Sequence, residues 1–272
     1  MAGLLSFYPV SAWLALIATG VAIGLLAGLL GVGGGIIAVP VLLEILAQLG
    51  MPEGTAFPLA VGTAQTSILI ASITAAYAHW RKGTIDTALC RAWLPALIVG
   101  IVLGLVLGPF APAKVMTMTF GIIAAALGVK MAMGDRLVIS RHPPSGLAAQ
   151  IPPVLVGGLA AALGVGGGTL STPVLSLFSF PIQRAIGAGS LFNLVVSLPA
   201  TITFLAMGWN SPDRPGDAVG EVALLCVAAL ALPALFVAPI AAHWSARVPV
   251  VLLRRSFALC LAAIAVRILI RA

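Results

Sequence analysis

Two similar stretches, GLLGVGGGIIAVPVLL at residues 28–43 and AALGVGGGTLSTPVLS at residues 161–176, place a run of glycines inside an apolar segment. Both contain the string LGVGGG, and in both four residues separate the last glycine from the string PVL. Each glycine in a helix interior costs about 1 kcal/mol relative to alanine. Three successive glycines therefore predict a break in each helix, and the repetition suggests that the break has a purpose.

The composition indicates a membrane protein. Of the 272 residues, 61% are hydrophobic and 8% are charged, and the mean hydropathy is +1.18. Soluble domains carry about 25% charged residues, whereas apolar runs of about 20 residues can cross a bilayer as helices. We therefore predict an all-α polytopic membrane protein that lies in a lipid bilayer. Its net charge of +7 is expected to set its orientation rather than to bind nucleic acid.

Polar residues, glycines and prolines divide the chain into ten apolar segments. These segments are 11–30, 36–49, 56–78, 89–108, 114–133, 149–163, 169–180, 185–207, 220–241 and 249–270. The polar stretch GDRLVISRHPPSG at 134–146 lies near the middle. We predict a first membrane repeat over 1–133, a connecting loop over 134–148 and a second membrane repeat over 149–272.

The two halves carry matching residues in the same order, which predicts an internal duplication of the kind found in secondary transporters. The matches are Gly31 with Gly164, Gly35 with Gly168, Pro40 with Pro173, VGTAQT at 61–66 with AGSLFN at 188–193, LPAL at 94–97 with LPAL at 232–235, Phe120 with Phe257 and Lys130 with Arg267.

The charges of corresponding loops favour inverted repeats. Arg81, Lys82 and Arg91 make the loop after the third segment basic, while its counterpart at 209–221 is acidic; the bias reverses in the next pair of loops. Basic loops prefer the cytoplasm, so corresponding loops are expected on opposite sides. Each repeat would then contain a glycine-broken hairpin or helix followed by three transmembrane helices. A parallel arrangement of four spans plus four stays open.

A break in a membrane helix is tolerated where protein or a water-filled cavity receives the exposed backbone. The helices that restart near Ile36 and Thr169 present free N–H groups and a positive dipole end, which together favour anions. Polar side chains of the following spans are further candidates. The predicted substrate-binding residues are Gly33, Gly34, Gly35, Thr63, Gln65, Thr66, Gly166, Gly167, Gly168, Thr169, Ser171, Ser190 and Asn193.

The alternative interpretation of these residues is packing. Small residues allow membrane helices to approach closely, and polar side chains can join helices without touching a substrate. We assign this packing role to the glycines spaced four apart at 20–28 and 100–108.

Enzyme, cofactor and metal chemistry have little support in the sequence. Cys90, Cys226 and Cys260 occur singly, and no Cys/His ligand spacing is present. No Ser/His/Asp set, paired carboxylates or intramembrane histidine is expected. We predict no catalytic residues, no metal site and no cofactor.

The twin GVGGG…PVL motifs, together with HWRKGTID at 79–86, resemble the TauE/SafE family of sulfite exporters over residues 14–270. The resemblance implies a multi-pass transporter of the cell inner membrane for small sulfur-containing anions, such as sulfite or organosulfonates like sulfoacetate. The glycine loops Gly33–Gly35 and Gly166–Gly168 match the family pattern. WNSPDRPGDAVGEV at 209–222 departs from it by being longer and more acidic, and we expect it outside the membrane core.

We expect export by alternating access, with the anion between the two breaks and without ATP. An anion channel and a membrane scaffold subunit without transport activity stay open as alternatives. The direction of transport, the coupling ion and a homodimeric state are also open.

Overall fold

The computed structural model describes residues 7–133, 146–208 and 214–245, and positions 249, 251–252, 255, 258–259, 261–263 and 265–266. Most of the connecting loop, the C-terminal matches Phe257 and Arg267, and Cys260 lie outside the described residues. The helices are α1 (Val10–Leu30), α2 (Gly35–Gln48), α3 (Glu53–Arg81), α4 (Thr87–Leu107), α5 (Ala113–Met133), α6 (Ile151–Leu163), α7 (Gly167–Leu177), α8 (Ile182–Ala206) and α9 (Leu224–Trp244). Short 3₁₀ helices cover Gly108–Phe110 and Gly146–Gln150.

The described part of the chain is a helical bundle with seven helices long and apolar enough to cross a membrane. They are α1, α3, α4 with its 3₁₀ extension, α5, α6 with the preceding 3₁₀ turn, α8 and α9. The all-α, multi-pass prediction is confirmed. The two helices after the glycine runs are shorter, with 14 residues in α2 and 11 in α7.

Both predicted helix breaks are present. The first lies between Leu30 and Gly35, and Gly31 and Gly34 adopt left-handed φ angles of 63° and 69°. The second lies between Leu163 and Gly167, where Gly164 and Gly166 have φ angles of 72° and 78°. Residues with a side chain rarely adopt such φ angles, whereas glycine does so without steric cost.

The spaced glycines at 20–28 pack α1 against α9, as predicted. A Cβ atom on Gly24 would lie 3.0 Å from Cα of Ala234, and one on Gly20 or Gly28 would overlap the carbonyl oxygen of Leu230 or Ala238. The contacts advance together along both helices, so α1 and α9 run in the same direction.

The glycines at 100–108 pack α4 against α6 in the same manner. A Cβ atom on Gly100 would overlap the carbonyl oxygen of Val154, and one on Gly104 would overlap that of Gly158. The two helices therefore run parallel as well, and the packing prediction is confirmed for both stretches.

Helices α3 and α8 form the centre of the bundle and run antiparallel. Gln65 bonds to Ser197, and Gly62 lies against Phe204 further toward the start of α3. Helix α1 follows the direction of α3, since Gly28 contacts His79 in its last turns. Helix α4 starts beside the start of α8, where Arg184 and Asp86 pair. Consequently α1 and α6, which each lead into a glycine break, run in opposite directions.

The bundle has two distinct ends. The end that carries Arg81, Lys82 and Arg184 is called the basic end. The opposite end carries a two-stranded antiparallel hairpin, β1 (Ala218–Val219) and β2 (Val222–Ala223), and is called the hairpin end.

The described part of the 209–222 loop makes contacts that the sequence did not predict. The tip of this loop does not stand clear of the bundle. The Glu221 N–H donates to the Phe204 carbonyl oxygen at 2.8 Å, and the Ala223 N–H donates to Oγ1 of Thr63 at 3.0 Å. These bonds satisfy backbone donors inside the bundle, which is why the longer loop is able to enter it.

Candidate functional site

The two glycine breaks lie directly against each other. A Cβ atom on Gly166 would lie 3.3 Å from Cα of Gly33, and one on Gly35 or Gly168 would overlap the carbonyl oxygen of Gly164 or Gly31. We call this contact, formed by residues 31–35 and 164–168, the glycine crossing. Its glycines serve two needs at once, since several have left-handed angles and others permit backbone-to-backbone contact.

Asn193 of α8 joins both breaks through one amide group. Its Oδ1 accepts the Gly168 N–H at 2.7 Å, and its Nδ2 donates to the Gly31 carbonyl oxygen at 3.0 Å. The side chain is buried. The first N–H groups of a helix have no acceptor within the helix, so the amide oxygen occupies the kind of position that an anion takes at a helix start.

Gln65 of α3 has a similar connecting role one layer away. Its Nε2 donates to the Ala160 carbonyl oxygen at 2.9 Å, near the end of α6, and its Oε1 accepts from Oγ of Ser197 at 2.8 Å. The Ala160 carbonyl oxygen also accepts the backbone N–H groups of Gly164 and Val165 in the second break, so Gln65 is a further donor to it. Gln65 links α3, α6 and α8.

Several predicted hydroxyl ligands donate to backbone carbonyl groups three or four residues earlier in the chain. Oγ1 of Thr66 donates to the Gly62 carbonyl oxygen, Oγ1 of Thr169 to that of Val165, and Oγ of Ser190 to that of Gly187. In this structure these hydroxyl groups donate to the backbone and not to a substrate. By contrast, the fully buried Oγ of Ser171, one turn into α7, has no hydrogen-bond partner.

The predicted site residues form one close group and several separate positions. Gly33, Gly34, Gly35, Gly166, Gly167, Gly168 and Asn193 are brought together at the crossing. Thr63 lies toward the hairpin end, where its Oγ1 meets Ala223. Ser190 lies toward the basic end, one turn after Gly187, which packs against Thr84.

Sequence reasoning missed the buried His79. Helix α3 continues through Arg81, and the HWRKGTID stretch therefore begins inside the bundle. The His79 ring is 1% exposed, with Nε2 3.2 Å from the Gly28 carbonyl oxygen and Nδ1 3.1 Å from Oγ1 of Thr84. The charged residues that follow His79 suggested that it lies in a loop. The apolar run that leads into it was the available signal that it lies in the helix. Ser197 was also missed, and its signal was a lone polar residue in the apolar string VVSLP.

Polar contacts join the helix ends at the basic end. Nζ of Lys82 donates to the carbonyl oxygens of Ala242 at 2.5 Å and His243 at 2.9 Å, in the last turn of α9. Nη1 of Arg184 lies 3.4 Å from Oδ2 of Asp86 and joins the starts of α8 and α4. A basic side chain at a helix C-terminus also complements the helix dipole.

A cavity of about 200 Å³ lies at the hairpin end rather than at the crossing. Its described lining is mostly apolar and comes from α3, α4, α5, α6, α8 and the linkers between them, with Glu221 as the charged member. None of the predicted substrate-binding residues belongs to that lining. The cavity is nevertheless next to the crossing, because Val61 in its wall lies against Gly164.

Comparison with known families decides the class of protein. Residues 16–268 match the family model described as sulfite exporter TauE/SafE. The chain belongs to the TauE/SafE family. The resemblance seen in the twin glycine motifs is thereby confirmed.

Relatives of this TauE/SafE protein carry a general transporter name. A "Probable membrane transporter protein" of Haemophilus influenzae is 28% identical over 252 residues, covering 91% of this chain and 94% of the relative. One of Methanocaldococcus jannaschii is 27% identical over 198 residues, covering 70% and 71%, respectively. No solved structure gives a significant match. The family and these relatives are membrane transporters and not enzymes.

Proposed function

We propose that the protein exports small sulfur-containing anions, namely sulfite or organosulfonates such as sulfoacetate, across the cell inner membrane. The observation that carries the proposal is the bond between Oδ1 of Asn193 and the Gly168 N–H at the glycine crossing. A neutral oxygen acceptor here occupies a helix start whose partial positive charge suits an oxyanion.

Substrate binding on this proposal is an exchange. An anion oxygen replaces Oδ1 of Asn193 on the Gly168 N–H, and the unpartnered hydroxyl of Ser171 is the next donor along α7. Withdrawal of Asn193 also breaks its bond to the Gly31 carbonyl oxygen. Binding at one break therefore loosens the contact with the other, which is the coupling that alternating access requires.

Inverted repeats are part of the proposal. The opposite directions of α1 and α6 support them, as do the matched pairings of α1 with α9 and of α4 with α6. The basic end faces the cytoplasm on this view, because short basic loops prefer that side. Each repeat then contributes one glycine break to the crossing, as in transporters whose site lies between repeats.

The membrane potential supplies a driving force for export. An inside-negative potential expels anions, and 100 mV is worth about 2.3 kcal/mol per elementary charge. A coupling ion is therefore unnecessary if net negative charge moves outward.

The test is thermal stabilisation of the purified protein by sulfite, sulfate, thiosulfate, sulfoacetate, taurine, acetate and chloride. Stabilisation by sulfite or a sulfonate is expected in the wild type and in Gln48→Ala, which removes an exposed amide from α2. Asn193→Ala is expected to lose it. Gly167→Leu is a poorer test, because a Cβ atom there lies 2.5 Å from the Phe192 carbonyl oxygen and threatens folding.

Two results would overturn the proposal. One is a wild type that no sulfur-containing anion stabilises. The other is an Asn193→Ala variant that responds as the wild type does, which would return the crossing to a packing role.

A further inference from the structure

The cavity at the hairpin end has a buried ion pair in its wall. Nη2 of Arg214 and Oε1 of Glu221 are in contact, and their side chains are 11% and 12% exposed. Glu221 lines the cavity, and Arg214 contacts it without being part of the lining. Burying two charges is unfavourable unless the geometry is good, so this arrangement is costly for a loop that only has to connect two helices.

Arg214 is held in place independently of Glu221. Its Nη1 donates to the Gly220 carbonyl oxygen at 2.7 Å, at the tip of the hairpin. Gly208, with a φ angle of 75°, leaves room for the guanidinium group, because a Cβ atom there would overlap Nη2. The guanidinium group therefore keeps an anchor when the carboxylate moves aside.

The cavity lies beside the glycine crossing, with Val61 between the two. Val61 and Ala162 form its inner wall, and Gly164 of the second break lies against Val61. At the other end of the bundle, Lys82 and Arg184 instead join helix ends to one another. An anion that moves from the crossing toward the hairpin end therefore meets this cavity once it has passed Val61.

We propose that this cavity is a second, outer anion site, in which the sulfite or sulfonate group of the transported anion replaces the Glu221 carboxylate on Arg214. A planar guanidinium group binds such an oxyanion through two parallel hydrogen bonds. The apolar wall, which includes Phe57, Met116 and Phe204, suits a short hydrocarbon substituent. The site rests on the proposed function and adds a second binding site between the crossing and the extracytoplasmic side of the membrane.

The test is the number of anions bound per chain. Ethanesulfonate is titrated into the detergent-solubilised full chain and followed by isothermal calorimetry. Two ethanesulfonate ions per chain are expected in the wild type and one in Asn193→Asp, whose fixed carboxylate blocks the crossing. Arg214→Gln is also expected to bind one, with affinity at the outer site falling roughly tenfold or more through loss of charge-assisted bonds.

Glu221→Gln gives a result that a purely structural ion pair would not. It removes the competing carboxylate but keeps the shape of the side chain, so ethanesulfonate is expected to bind the outer site several-fold more tightly. Arg91→Gln, which removes an exposed arginine from α4, is the matched control and leaves both affinities unchanged.

The outcomes separate this site from the crossing. A wild type that binds one ion, together with an Asn193→Asp variant that binds none, overturns the outer site and leaves the proposed function intact. Weaker binding in both Arg214→Gln and Glu221→Gln also overturns it, because the two changes must act in opposite directions. A wild type that binds no ion overturns both proposals.

Discussion

Oδ1 of Asn193 lies 2.7 Å from the backbone nitrogen of Gly168, and this bond ties the middle of α8 to the first turn of α7. The same amide reaches the Gly31 carbonyl oxygen at 3.0 Å. One side chain thus holds the end of α1 and the start of α7 together, although Asn193 itself belongs to α8. A change at this residue acts on both glycine breaks at once.

Asn193→Asp is expected to abolish sulfite or sulfonate transport while the protein still folds. The carboxylate still accepts the Gly168 N–H, and it is attracted by the start of α7. It therefore competes with the substrate as a tethered anion, and it loses the donor to Gly31. Counterflow of labelled anion in proteoliposomes measures the effect. Transport at the wild-type rate would contradict it.

Gln65→Leu is expected to lower the free energy of unfolding by about 1–3 kcal/mol, because it leaves the Ala160 carbonyl group and the Ser197 hydroxyl group buried without this partner. Ser197→Ala removes only one bond and is expected to cost less. Thermal unfolding in detergent measures both changes. The prediction is wrong if Ser197→Ala proves the more damaging variant.

Gly35→Ala is expected to destabilise the protein by about 1–3 kcal/mol or to prevent folding, because the added Cβ atom overlaps the Gly164 carbonyl oxygen and overpacks the crossing. Gly54→Ala is the matched control, since it lies in α3 with open space around its Cβ position. Expression level and melting temperature report both. Equal tolerance of the two alanines would argue against the tight crossing.

Glu221 is expected to make stability depend on pH. Burial raises the pKa of its carboxyl group above the ordinary value and outweighs the opposing effect of Arg214. The helices and linkers that form the rest of the described cavity wall contribute no titratable side chain to it. A raised folded-state pKa gives stability that is present below the unfolded-state pKa and is lost as pH rises through the folded-state pKa.

The melting temperature of the wild type should therefore fall, relative to Glu221→Gln, as the pH rises from about 4.3, the ordinary glutamate pKa, to 7. Glu221→Gln provides the reference because it cannot titrate at this position. A melting temperature of the wild type that stays level or rises relative to that of Glu221→Gln over this pH range would contradict the prediction.

Opposite ends of the bundle should be reachable from opposite sides of the membrane. Single cysteines replacing Glu53 at the hairpin end and Arg184 at the basic end, both exposed, are to be labelled with a membrane-impermeant maleimide. In intact cells whose outer membrane has been made permeable, Glu53→Cys is expected to react and Arg184→Cys to react only after lysis. Labelling of both from the same side would favour the parallel arrangement.

Much of this protein follows from local sequence. The membrane class follows from the scarcity of charge, and the two helix breaks follow from the intrinsic helix penalty of successive glycines. The glycines at 20–28 and 100–108 were recognised as packing surfaces because their spacing places them on one helix face. The contacts of the hairpin with Thr63 and Phe204 were not predicted, because the acidic composition of the loop does not reveal that its backbone finds partners there.

By itself the sequence determined the class, the breaks and the family, since each depends on residues close together in the chain. Only the tertiary structure decided which groups meet. Asn193 and Gly31 are 162 residues apart, and no local propensity brings them together. Likewise, His79 is buried and Glu221 lines a cavity because helices from distant parts of the chain pack around them. Contacts of this kind come from the packing of whole surfaces, and therefore appear only once the bundle is assembled.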